Sequence, residues 1–239
     1  MRFFCGAIPV FLSFTFLFSM VLPVYGEEPA PEQLTAEQIL QRVASTYAKC
    51  RSYQDSGLVE TIFIETDREW TEKISFKTAF VRPDRFRFEY AESKCEEQNK
   101  YIIWQDGDEV LTWWDISPGI KEPPSLGMAI AGATGVSYGS ANTIPALFLP
   151  KEICGYAVVD LAGAKRIDDA TCEKDECFRI EGDWFGSPTT IWIDKATYLI
   201  RRIDSSHQFE DFRTSDTTTY EPEINVDIPD ELLEFNPPE

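Results

Sequence analysis

The sequence predicts an α+β fold, mainly antiparallel β, built as one curved sheet with a single principal helix. Three observations predict it. Phe86, Phe88 and Tyr90 alternate with Arg85, Arg87 and Glu89, the period of a strand with one apolar and one charged face. Strand-like runs follow one another at hairpin spacing with no helix between them, which makes the sheet antiparallel. Helical periodicity is clear in one early segment, residues 35 to about 48, and nowhere else at that length.

In chain order, Met1 and Arg2 precede the apolar run "FFCGAIPVFLSFTFLFSMVLPV". Val24 and Gly26 suit the −3 and −1 positions of a signal-peptidase site, so residues 1–26 read as a signal peptide cleaved after Gly26. The run is also just long enough for a retained anchor, but Pro23 and the small residues favour cleavage. Residues 27–34 form an acidic leader, and 35–239 read as a single domain. In "TAEQILQRVASTYA", Ala36, Ile39, Leu40, Val43 and Tyr47 fall at helical spacing, and Thr35 with Gln38 makes a capping-box pair. Strands are expected at Leu58–Glu65, Lys73–Phe80 and Arg85–Tyr90. "YIIWQDGDEVLTWW" is read as a hairpin around Asp106-Gly107. Further strands are expected at Lys165–Thr171, Cys177–Glu181, Thr189–Ile193 and Tyr198–Asp204, with a last one in "TSDTTTYEPEINVDIP". The exception is residues 115–150, rich in Gly, Ala and Pro and apolar without alternation. It reads as a lid in which "SLGMAIAGA" and "TIPALFLP" form short helices.

Charge narrows the partners. The chain carries −19, and −20 once Arg2 leaves with the signal segment, so nucleic acid is excluded as a partner and anionic membrane surfaces repel it. Five cysteines remain after cleavage. Cys172 and Cys177 bracket "EKDE", read as a polar four-residue turn, and are expected to form a disulfide; the pairing of Cys50, Cys95 and Cys154 stays open. No metal site is expected: there is no C-x-x-C, and His207 is the sole histidine. "DGDE" lacks a calcium-loop framework, no Gly-rich phosphate loop is present, and no cofactor is implied.

Gly135-Val136-Ser137-Tyr138-Gly139 fits the G-x-S-x-G elbow of serine hydrolases, with His207 downstream. The preceding "AIAGAT" is a poor strand, and an elbow needs a parallel one, so a hydrolase using Ser137 and His207 is the weaker alternative to a hinge in the lid. The aromatics are the denser signal: seventeen Phe, six Trp and nine Tyr in a chain with few helices to cover a sheet. Such a sheet has more apolar face than its own helices can cover, and an apolar cavity follows.

"TAFVRPDRFRFEY", "YIIWQDGDEVLTWWD", "TIWIDKATYLIRRID" and "NVDIPDELLEFNPP" resemble, in this order, the LolA/LolB-like superfamily of periplasmic lipoprotein carriers. More narrowly, the chain looks like an exported branch of that superfamily rather than a carrier of known client. The resemblance implies an incomplete (half) β-barrel of LolA type, with helices over a concave apolar face that holds acyl chains. It places the Arg82–Phe88 strand and the Trp104–Trp114 hairpin in the wall and residues 115–150 in the lid. With the strand alternation, the expected cavity-wall residues are Ile74, Phe76, Phe86, Phe88, Tyr90, Trp104 and Trp114. The expectation is a non-enzymatic, monomeric periplasmic protein, soluble after cleavage, that holds the acyl chains of a lipid or lipidated protein and hands them on. It is further expected to meet a protein partner at the membrane. The alternative from another class is an envelope sensor or adaptor that uses the same half-barrel to bind a lipoprotein and a protein partner.

Overall fold

A computed structural model describes residues 33–94, 97–153, 155 and 157–238. The expected signal segment and cleavage site, most of the acidic leader, Cys95 and Cys154 lie outside those residues.

The chain begins with α1 (Ala36–Lys49), started by the predicted capping box: Gln38 N donates to Thr35 Oγ1 at 3.3 Å and Thr35 N to Gln38 Oε1 at 3.0 Å. Its buried residues are the periodic ones, Ala36, Ile39, Leu40, Val43 and Tyr47. A meander follows: β1 (Ser52–Ile64), β2 (Glu69–Val81), β3 (Arg85–Lys94), β4 (Glu97–Asp106), β5 (Glu109–Trp114) and β6 (Ser117–Lys121). Three short helices come next, α2 (Leu126–Thr134), α3 (Ser140–Thr143) and α4 (Pro145–Phe148), called here the plug. A second meander runs β7 (Ala162–Cys172), β8 (Asp175–Trp184), β9 (Ser187–Asp194), β10 (Ile200–Gln208), β11 (Arg213–Tyr220) and β12 (Glu223–Ile224).

Antiparallel pairing of β11 with β1 joins the two meanders into one sheet of 12 strands, ordered β6-β5-β4-β3-β2-β1-β11-β10-β9-β8-β7, with β12 alongside β1. The edges β6 and β7 stay apart, so the barrel is incomplete. All four helices lie on one face, where their buried side chains and those of the strands form a single apolar core. This is the architecture the LolA-like resemblance implies, and that face is called inner below.

Some boundaries differ from expectation. β1 starts at Ser52 rather than Leu58, and residues 117–121, expected in the lid, extend the sheet as β6. "EKDE" is not a four-residue turn. Glu173-Lys174 alone turn the chain, Glu173 with φ 55°, so Cys172 pairs with Asp175 and Cys177 with Ala170. The two cysteines are therefore diagonal, not opposed, and both thiols are free.

Phe148 at the end of the plug is fully buried, its ring 4.6 Å from Phe80 and 5.0 Å from Tyr53. Arg82, the arginine of the Arg-Pro motif, lies alongside. Its guanidinium donates to Cys50 O at 2.7 Å, Ala48 O at 2.9 Å and Phe148 O at 3.0 Å, satisfying carbonyls at the C-termini of α1 and α4 together. Phe148→Ala would leave a cavity between two rings that cannot collapse, and should cost about 3–5 kcal/mol of stability in urea unfolding. A loss under about 1 kcal/mol would show that the plug contributes little to the core.

Candidate functional site

The inner wall is an aromatic belt. Cross-strand register sets Tyr220, Gly57, Phe76, Tyr90, Tyr101 and Trp114 in one row across β11, β1, β2, β3, β4 and β5. Neighbouring rings touch: Tyr220–Phe76 at 5.6 Å, Tyr90–Tyr101 at 6.2 Å and Tyr101–Trp114 at 5.8 Å. Gly57 makes the first contact possible. A Cβ there would fall 2.2 Å from Phe76 Cζ, so the glycine is the gap through which the Phe76 ring reaches Tyr220. One row on stands Thr78–Phe88–Ile103, and beyond it Tyr53–Phe80–Phe86.

Of the sequence-predicted wall residues, Ile74, Phe76, Phe86, Phe88 and Tyr90 are all on this face and buried, and Trp114 is partly buried there against Tyr101. Trp104 is not. It stands opposite Arg87 on the outer face, where its Nε1 donates to Leu233 O at 2.6 Å and its ring lies 5.9 Å from Phe235. The reason is that Ile102 and Ile103 are both fully buried, one on each face, so hydropathy alone does not reveal the parity of β4. The expected surplus of uncovered apolar face is also corrected. The plug covers the wall, with Ala129, Ile130, Ala133, Ala141, Ile144 and Phe148 buried against it.

The plug is satisfied within itself. Thr134 Oγ1 donates to Ile130 O, Ser140 Oγ to Ser137 O and Thr143 Oγ1 to Gly139 O, at 2.8, 2.8 and 2.9 Å. Ser137, the residue of the elbow-like motif, is fully buried. Its hydroxyl donates to Thr134 O at 3.4 Å and accepts from Ala141 N at 3.2 Å, a turn-stabilising role. Side-chain bonds to the sheet lie at opposite ends: Arg82 to Phe148 O at one, and the Tyr138 hydroxyl to the Glu72 carboxylate at the other.

Towards the β1–β2 and β10–β11 turns, the inner face becomes polar. There the row Glu72–Thr61–Asp216–Ser205–Thr189 crosses β2, β1, β11, β10 and β9. The row beyond it is Trp70–Phe63–Thr214–His207. This end, the mouth, carries stacked aromatic pairs on its hairpin tips, Phe63–Trp70 at 4.8 Å and Phe209–Phe212 at 4.4 Å. Sequence reasoning passed over this cluster because Thr, Ser and Asp at period two read as an ordinary solvated strand face.

On the outer face, a groove of about 1010 Å³ runs between the C-terminal segment and β9–β10, bordered by Lys77, Arg87, Trp192, Arg202, Glu223 and Leu232. Most of its charges are already paired: Arg87 with Glu89, and Arg202 Nε with Asp204 Oδ1 at 2.7 Å. Among the described residues no group of three or more His, Cys, Asp or Glu side chains is arranged to hold a metal ion.

The site is thus an open antiparallel sheet whose inner aromatic wall is covered by short apolar helices. Neither the family models nor the curated proteins include a match to this chain. Among solved structures, it is similar to LprF from Mycobacterium bovis, with 12% identity, 85% of this chain and 97% of that one covered, and a TM-score of 0.47. It is also similar to a putative outer membrane lipoprotein-sorting protein domain from Vibrio parahaemolyticus (11%, 82% and 94%, 0.36). A third is a LolA superfamily protein from Nitrosomonas europaea (10%, 84% and 98%, 0.32). All three are remote in sequence and partial in superposition, and the site is defined by its own residues.

Asp55 is a buried carboxyl on the inner face. Asp55 accepts from Tyr53 Oη at 2.6 Å and from Thr78 N at 3.1 Å, and burial pushes its pKa up to about 6 despite those bonds. The fold therefore holds the neutral acid more readily than the unfolded chain does. The stability this provides is complete below the ordinary value of 3.8 and is lost as pH rises through 6. Across that window the effect is about 3 kcal/mol. Asp55→Asn removes the titration, so the variant should gain about 2–3 kcal/mol on the native chain between pH 3.5 and 7 in urea unfolding. A difference independent of pH would show that folding does not raise the Asp55 pKa.

Proposed function

We propose that this chain is an exported LolA-like carrier or binding protein, whose inner aromatic wall takes up the acyl chains of a lipid or lipidated protein when the plug lifts away. The observation that carries the reading is the self-sufficiency of the plug. Its serine and threonine hydroxyls bond within it, the Tyr138 hydroxyl alone reaching the sheet, and the apolar part of its buried face is Ala, Ile, Leu and Phe. Lifting it therefore exposes apolar surface and few unpaired polar groups, and an acyl chain replaces that surface in kind. Each buried methylene contributes about 0.8 kcal/mol, so a long chain gains on the order of 10 kcal/mol gross. Displacing the plug and ordering the guest offset much of this, which leaves an affinity from which cargo can be released.

The helices of 9, 4 and 4 residues are too short to hold together alone, so the cover moves as jointed pieces. Non-enzymatic transfer needs no residue to change covalently. In this account the acidic surface keeps the carrier off anionic membranes between encounters, so a protein partner brings it to one.

Tyr138→Phe removes the hydroxyl that fastens the plug to Glu72 at the mouth. The variant should bind a fluorescent long-chain fatty acid several-fold faster than the native chain in stopped-flow measurements, with an unchanged circular dichroism spectrum. Failure of both proteins to bind the probe, together with delipidated-grade purity of freshly isolated native protein by mass spectrometry, would overturn the carrier reading.

A further inference from the structure

The chain's single histidine has a partner that the elbow-like motif did not suggest. Ser187, His207 and Asp216 stand on the adjacent strands β9, β10 and β11, all on the inner face at the mouth. Ser187 Oγ lies 2.6 Å from His207 Nδ1, and His207 Nε2 lies 3.7 Å from Asp216 Oδ2. Asp216 is held in turn by two hydroxyls: Thr61 Oγ1 donates to Oδ1 at 2.6 Å and Thr214 Oγ1 to Oδ2 at 3.1 Å. A nucleophile, a base on its hydroxyl and an oriented carboxylate behind the base are the three members of a serine triad, recognised by geometry and not by chain order. The ring is turned from the familiar arrangement, so the basic atom here is Nδ1. At 3.7 Å, Asp216 acts through its charge and not through a hydrogen bond.

A fourth feature adjoins them. Trp184 faces Ser187 across the β8–β9 hairpin, and its Nε1–H is buried with no hydrogen-bond partner among the described residues. Buried N–H groups are nearly always paired, so an orphaned donor beside a serine–histidine pair points to an acceptor that arrives from outside. Ser187 itself is buried, 6% exposed, and is approached past His207, 45% of whose side chain is exposed. Phe185 and Phe209 are exposed on the hairpin tips around it.

We propose that Ser187 is a nucleophilic serine that cleaves carboxylic esters with an apolar acyl part, with His207 as base, Asp216 as the charge behind it and Trp184 Nε1 as donor to the oxyanion. The Ser187 Oγ bonds to the ester carbonyl carbon while its proton passes to His207 Nδ1, and Asp216 stabilises the imidazolium. Collapse breaks the ester C–O bond, and the alcohol leaves with that proton. Water then adds to the acyl-serine carbonyl and gives a proton to Nδ1. The acid departs as the proton returns to Ser187 Oγ, leaving the side chains as they began.

The test needs no lipid cargo and is independent of the carrier reading. The native chain is treated with a fluorophosphonate probe, and the adduct is located by peptide mapping. The expected result is one adduct, on Ser187, absent from Ser187→Ala and slowed at least tenfold in His207→Gln and several-fold in Trp184→Phe. Mapping on the native chain keeps the answer clear even if a variant folds poorly. No adduct, or an adduct on Ser137 or another serine, would overturn the proposal.

Discussion

An antiparallel sheet that does not close must hide one face by other means, and this constraint organises the molecule. With β6 and β7 left as separate edges, the inner wall of Phe, Tyr and Ile side chains would otherwise meet water. α1 covers part of it, with Tyr47 Oη accepting from Ile200 N at 3.0 Å to fix the helix on β10. The plug covers the rest, and Arg82 ties both to the wall by taking the terminal carbonyls of α1 and α4. Apart from the Arg82 and Tyr138 bonds at its two ends, apolar contact makes most of the seam between wall and plug. Such a seam is non-directional, and on the proposed carrier reading another apolar body would take the plug's place.

The inner face is graded along the strands. At the Arg82 end, rings of Tyr53, Phe80, Phe86 and Phe148 pack without polar interruption apart from Asp55. At the mouth, Glu72, Thr61, Asp216, Ser205 and His207 line the same face of the same strands. On the proposed carrier reading, a guest with an apolar tail and a polar head would enter this gradient tail inward. The outer face is managed separately. The C-terminal segment crosses it, with Asp230 on Arg85 at 3.0 Å, Leu233 O on Trp104, and Asn236 on Arg87 at 3.1 Å. Two motifs that lie far apart in the chain, the Arg-Pro strand and the Phe-x-Pro-Pro tail, are thus halves of one contact.

The local parts of this fold were legible in the sequence, and its long-range parts were not. α1 was readable to within a residue at either end because a capping box and a helical stripe are both local signals. β3 was readable because one face is aromatic and the other charged. The first six residues of β1 were not, since "SYQDSG" carries polar side chains and a glycine whose purpose is a phenylalanine from another strand. Trp104 was assigned to the wrong face for a related reason. A strand buried on both sides has no polar phase, and what buries its outer side is a tail more than a hundred residues away, given the Trp104–Leu233 bond. Ser187, His207 and Asp216 belong to the same class: three unremarkable polar residues that only the register of β9, β10 and β11 brings together.

If cover and wall are separable units of one fold, native-state hydrogen exchange followed by mass spectrometry tells them apart. Amides of residues 126–148 should exchange through an opening several kcal/mol cheaper than global unfolding, while those of β1, β2 and β3 exchange only when the whole domain unfolds. Identical protection in both regions, lost together at a single denaturant concentration, would mean that the helices are a permanent part of the core and that nothing can be admitted beneath them.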